Sequence, residues 1–130
     1  MGEDIHVFSS TMGLSDVKIK LPHELSNGKW QIGLSEISYF KPKTLFPSID
    51  VYCDIIVPNV KNGHSKQILR RVYTEKGNVN IKFNPIFYCD VIRPSFDHMT
   101  VYLMTESGET CSFNNTTVNC SLHIRRINND

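Results

Sequence analysis

Apolar and polar residues alternate with period two along most of the chain. Val17, Ile19 and Leu21 alternate with Lys18 and Lys20, and Trp30, Ile32, Leu34 and Glu36 alternate with Gln31, Gly33 and Ser35. Val101 and Leu103 alternate with Tyr102 and Met104. The longest clean run sets Val118, Cys120, Leu122 and Ile124 against Asn119, Ser121, His123 and Arg125. Each run offers one apolar face, which is what a half-buried strand needs. The stretch from Val51 to Val57 is nearly continuous and apolar, the pattern of a strand covered on both faces. The pattern predicts eight to nine strands, at about 5–9, 15–21, 30–39, 50–57, 67–73, 79–83, 86–92, 99–105 and 109–124, the last split at Asn114-Asn115.

Turn residues punctuate the runs. Asn27-Gly28, Asn62-Gly63, Lys76-Gly77 and Ser107-Gly108 tolerate positive φ. Asn27-Gly28 and Ser107-Gly108 stand between alternating runs and predict hairpins there. Prolines at 22, 42, 47, 58, 85 and 94 leave no room for a long helix; a single helical turn fits only near 42–46 or 94–98. Short strands with frequent turns predict an all-β protein. The specific form expected is a single eight-stranded jelly-roll β-sandwich, one domain spanning 1–130.

Composition agrees with a packed domain. The chain has 130 residues, 40% hydrophobic and 21% charged, which excludes a disordered tail. A formal charge of +1 argues against general electrostatic binding of nucleic acid or acidic membranes, so no specific nucleic acid is expected. No apolar run approaches the roughly 20 residues that span a bilayer, so no membrane insertion is expected. MGEDIHVFSS lacks the cationic and apolar regions of a signal peptide. His6 stands where a myristoylation signal needs Ser or Thr. Sequons at Asn114, Asn115 and Asn119 therefore read as turn and strand residues. Cys53, Cys89, Cys111 and Cys120 contain no C-x-x-C pair, and Cys53 and Cys120 fall on apolar strand faces. Reduced structural thiols are expected, not a disulfide framework.

Catalytic chemistry finds no foothold. Gly33-Leu34-Ser35-Glu36-Ile37 lacks the second glycine of a nucleophile elbow and lies inside an alternating strand. The histidines at 6, 23, 64, 98 and 123 form no metal-binding spacing. Neither catalytic residues, a cofactor nor a metal is expected, and the chain reads as non-enzymatic. Glu36 follows Trp30, Ile32 and Leu34 on one face, so it must pair or reach water at a strand end. Arg70, Arg71 or Arg125 are the candidate partners for a structural ion pair. The doublets Arg70-Arg71 and Arg125-Arg126 are not patches, because neighbours on a strand face opposite sides. Phe40, Phe46, Phe87 and Tyr88 fall near loops or strand ends and are the candidate interface residues.

Four segments taken in order suggest a family. They are Leu21-Pro22 with Gly28-Lys29-Trp30-Gln31-Ile32-Gly33-Leu34-Ser35-Glu36-Ile37-Ser38-Tyr39; Val51-Tyr52-Cys53-Asp54-Ile55-Ile56; Ile68-Leu69-Arg70-Arg71-Val72; and Phe96 to Leu103 followed by Val118 to Arg126. This order, over roughly residues 5 to 126, resembles the penton-type minor capsid proteins of Polinton/Maverick elements and adintoviruses. The family carries Val-Gly-Asp after the Cys-Asp-Ile strand, where this chain has Pro58 to His64. The resemblance implies a single jelly roll forming a homopentamer at icosahedral vertices, beside a major capsid protein of double jelly-roll type. It implies a virion component assembled inside the host cell. A soluble non-enzymatic recognition module on the same fold, trimeric cytokine-like or lectin-like, is the alternative.

Overall fold

The computed structural model describes residues 4–12, 16–25, 28–41, 47–61, 64–74, 77–93, 95–109, 111 and 117–127. The strands are β1 (Asp4–Met12), β2 (Asp16–Leu25), β3 (Lys29–Lys41), β4 (Ser48–Cys53), β5 (Asn59–Lys61), β6 (His64–Lys66), β7 (Ile68–Tyr73), β8 (Gly77–Lys82), β9 (Tyr88–Asp90), β10 (Phe96–Met104) and β11 (Thr117–Ile127). One sheet has the order β1-β11-β3-β8, with β9 also paired to β3; the second has the order β2-β10-β4-β7. Among the described residues, β5 and β6 pair only with each other. All pairings are antiparallel.

Four of these pairs are nested. β1 pairs β11, β2 pairs β10, β3 pairs β8 and β4 pairs β7. The first half of the chain thus lies against the second half in reverse order, and successive pairs fall alternately into the two sheets. A long hairpin rolled up in this way is the jelly roll, so the expected fold class is the observed one.

The alternating faces meet between the sheets. Val118, Cys120, Leu122 and Ile124 of β11 are buried with Trp30, Ile32 and Leu34 of β3. Opposite them lie Ile49, Val51 and Cys53 of β4 and Met99, Val101 and Leu103 of β10. At one end Trp30 and Phe96 meet edge to face, with ring centroids 6.2 Å apart. All four cysteines are free, and Cys53, Cys111 and Cys120 are buried.

Burial pushes the Cys53, Cys111 and Cys120 thiols up to about 12. A folded thiol pKa above the unfolded one means the folded state holds protons that the unfolded state has released. Stability therefore falls as pH rises above about 9, by about 1.4 kcal/mol per thiol per pH unit. Denaturant midpoints measured from neutral pH upward should show this decline, and Cys120→Ala should flatten its slope.

Several local expectations change once the pairing is known. Asn27-Gly28 does not close a hairpin, because β2 and β3 lie in different sheets. Ser107-Gly108 does sit in a tight turn: the Gly108 N–H donates to the Thr105 carbonyl (3.0 Å) and the Thr105 N–H to the Glu109 carbonyl (2.7 Å). The Cys111 N–H also donates to the Leu103 carbonyl (3.1 Å), so Glu109 and Cys111 fold back on the end of β10 as the hairpin expects, while β11 further on pairs with β1 and β3. The strand expected over 50–57 ends at Cys53, although Ile55 and Ile56 stay buried. Residues 96–98 belong to β10, not to a helical turn, and 42–46 lie outside the described residues.

Charge is also buried. Asp50 of β4 is 0% exposed and faces Arg71 of β7 as a directly opposed cross-strand pair. Arg71 Nε and Nη2 donate to the two Asp50 carboxylate oxygens at 2.6 and 3.0 Å. The bidentate bond holds the guanidinium pKa above its ordinary value. Glu106 lies 3.6 Å from the same guanidinium, with its side chain mostly exposed.

Candidate interaction surface

β3 carries two successive partners on one edge. β8 pairs with its second half, from Glu36 to Lys41, and β9 with its first half, from Gln31 to Gly33. The Phe83 N–H still donates to the Ser35 carbonyl (2.9 Å), and then residues 84–87 leave the edge before β9 rejoins it. The Asn84-Pro85 peptide in this segment is cis.

The segment passes over Gly33, which must be a glycine. A Cβ there would meet the Ile86 Cγ2 and would stand 2.7 Å from the Phe87 carbonyl oxygen. Backbone cannot step aside as a side-chain tip can. Gly33→Ala should therefore cost about 1–3 kcal/mol, checked by denaturant titration. Loss of Tyr88–His123 contacts in NMR spectra of the variant should accompany it.

Two further devices fix the segment. Arg70, from β7 in the other sheet, places its guanidinium 4.0 Å from the Phe83 ring centroid and 3.9 Å from that of Phe87. Its Nη1 also donates to the Pro85 carbonyl at 3.3 Å. Burial lowers the Arg70 pKa. Further along, Tyr88 and His123 share a short hydrogen bond between the hydroxyl and Nδ1. Arg125 lies 3.5 Å over the Tyr88 ring and donates twice to Gln31 Oε1, at 3.0 and 2.8 Å. Gln31 Nε2 in turn donates to Asp90 (2.8 Å), which closes the network onto β9.

The expected ion pair of Glu36 with Arg70, Arg71 or Arg125 is therefore corrected. These side chains do not converge, and Arg71 is held by Asp50. Glu36 accepts from Asn80 Nδ2 at 3.0 Å, Arg70 is taken by aromatic rings, and Arg125 is taken by Gln31. The cause is a β-bulge in β3. Ser121 pairs with Glu36 but Leu122 pairs with Leu34, so Ser35 is an extra residue. The Ser35 hydroxyl fills the break by donating to the Ser121 carbonyl at 2.9 Å. Beyond it the inward positions switch from Trp30, Ile32 and Leu34 to Ile37 and Tyr39. Glu36 is turned out of the core.

Of the expected interface residues, Phe87 is 54% exposed and Phe40 is 41% exposed. Tyr88 is half-buried beneath Arg125. Phe46 lies outside the described residues. Tyr73, at the end of β7, is more exposed than any of them, at 73%. Sequence reading passed over it because it continues an apparently regular strand. The part played by Phe83 and Arg70 was equally hidden, since it needs the 84–87 segment to fold back towards the other sheet. Phe87 is thus a solvent-facing ring held beside the Arg70 guanidinium.

No protein-family model matches the chain, and no curated protein sequence matches it. Among solved structures it is similar to the mavirus penton protein, with a TM-score of 0.61 and 6% identity, over 96% of this chain and 100% of that one. The likeness is one of fold. Infectious bursal disease virus VP2 overlays at a TM-score of 0.39 and 9% identity, over 96% of this chain and 32% of that one. A chain of the disulfide-linked pili of Bacillus endospore appendages overlays at 0.35 and 10% identity, over 99% of this chain and 88% of that one. These last two carry no argument. No helix among the described residues is long and apolar enough to cross a membrane.

Proposed function

We propose that this chain is a structural virion protein: a minor capsid, penton-type single jelly roll whose one domain spans 1–130 and assembles as a homopentamer at icosahedral vertices. In this reading it acts beside a major capsid protein of double jelly-roll type, without catalysis, in particles assembled inside the host cell. The observation that carries it is the overlay with the mavirus penton protein, which runs the length of both chains. The ordered sequence segments that resemble Polinton/Maverick and adintovirus minor capsid proteins point the same way. Phe40, Phe87 and Tyr88, together with Phe46, are the interface residues of this reading.

The test is the mass of the purified protein by light scattering behind a sizing column, over a range of concentration and salt. A species of five times 14.9 kDa is expected. A stable trimer would overturn the vertex assignment in favour of a recognition module. A monomer at every concentration that also failed to enter capsids would overturn the virion role itself.

A further inference from the structure

Two patches of this chain are complementary to each other. The first is the Arg70 clamp. Its guanidinium is oriented by the Phe83 and Phe87 rings, and its one hydrogen bond among the described residues is the 3.3 Å contact to Pro85. A guanidinium has five N–H donors, so most of its edge is unspent. No carboxylate of the described residues faces it. A fork that is already oriented loses little freedom on taking a carboxylate. Phe87, more than half exposed, stands beside it.

The second patch is the turn after β10. Its backbone is fixed by the Gly108-to-Thr105 and Thr105-to-Glu109 hydrogen bonds, and the Thr105 hydroxyl accepts from the Glu109 N–H at 3.1 Å. Glu106 and Glu109 are exposed on this turn. Tyr73 follows Arg71 by two residues on β7, and the Arg71 guanidinium lies 3.6 Å from Glu106, so the exposed tyrosine stands beside the same turn. One patch is thus cationic with an exposed phenyl ring, and the other is anionic with an exposed phenol ring.

We infer that a second copy of this chain docks its Tyr73–Glu106–Glu109 patch onto Arg70 and Phe87. A carboxylate forks onto the Arg70 edge, and the tyrosine ring covers Phe87. The contact uses two different patches, so every copy accepts one neighbour and offers itself to another. A closed ring requires such a heterologous contact. This inference rests on the self-assembly proposed above and names its residues. Opposite charges at a rim steer encounter, and added salt weakens them.

Charge exchange tests it, with assembly followed by sedimentation velocity and folding by circular dichroism. Arg70→Glu and Glu109→Arg should each raise the concentration needed for half-assembly about tenfold or more. The double variant Arg70→Glu/Glu109→Arg should recover most of the loss. Glu109→Arg lies on the surface, so it reports even if Arg70→Glu loosens the 84–87 segment. If wild type assembles and Glu109→Arg assembles equally well, the inference is overturned while the capsid reading stands. If the single variants fail and the double variant gains nothing, the pairing is overturned. If wild type forms no oligomer at any concentration, the inference is overturned, and the virion role falls with it only if the protein also fails to enter capsids.

Discussion

Arg71→Met should be among the most damaging single substitutions in the protein, lowering stability by about 3–5 kcal/mol. The reason is asymmetry between the partners. Arg71 is partly exposed and can hydrate its charge, whereas Asp50 is fully enclosed. Removing the arginine strands a carboxylate with no water and no cation. Because total stabilities run to roughly 5–15 kcal/mol, the melting temperature should drop by roughly 10–20 °C. The deficit should shrink as pH falls, because a carboxyl group buried without its cation binds its proton more tightly when folded than when unfolded. Replacing both partners, as in Asp50→Leu/Arg71→Met, should recover part of the loss, because no charge then remains to be desolvated. Thermal melts of the two single variants and the double variant at neutral and mildly acidic pH check all of this. Equal losses in Arg71→Met and in the double variant would mean that packing, not charge, sets the cost.

Trp30→Ala should cost a similar amount, about 3–5 kcal/mol, through the cavity it leaves. Trp30 is almost fully buried where β3 enters the sandwich, edge-on to Phe96, with the Arg126 guanidinium 5.7 Å from its ring. Its carbonyl also accepts from the Val91 N–H at 2.9 Å, which ties the end of β9 to β3. That backbone bond survives truncation, so the loss reports packing. Trp30→Phe should retain much of the stability by keeping a ring against Phe96. Trp30 is the one tryptophan of the chain, so unfolding of these variants must be followed by circular dichroism, not indole fluorescence.

What the sequence revealed and what it hid divide along a physical line. The inward positions of β11 and β10 were legible because strand alternation is local and a single phase runs through each apolar face. The same rule misread Glu36, because one bulged residue reverses the phase and only the partner strand shows where the bulge falls. It also misassigned Asn27-Gly28, whose turn chemistry is sound but whose flanking strands join different sheets. Partner choice depends on contacts tens of residues away, which no window of the sequence contains. Cys53 and Cys120 were placed correctly in the core, since their faces were already apolar. The Arg70 clamp was not visible, because it depends on a detour that begins only where Gly33 leaves room. Phe40 and Phe87 were found as exposed rings because they stand near turns; Tyr73, which also ends a strand, was missed because it was counted with that strand's alternating residues.

The nesting of strand pairs also dictates an order of events during synthesis. The innermost pair, β4 with β7, joins segments close in sequence and can form early. The outermost, β1 with β11, joins residues 4–12 to 117–127 and closes almost the whole chain into one loop. β11 is not a late addition at an edge, for it lies between β1 and β3 and supplies the middle of its sheet. Until the ribosome has released β11, β1 has no partner and a long flank of β3 stays open. Folding of that sheet must therefore follow the emergence of β11, on the order of milliseconds to seconds for so non-local a topology. In that interval the bare edge of β3 is the place where a nascent chain is most exposed to pairing with the wrong strand.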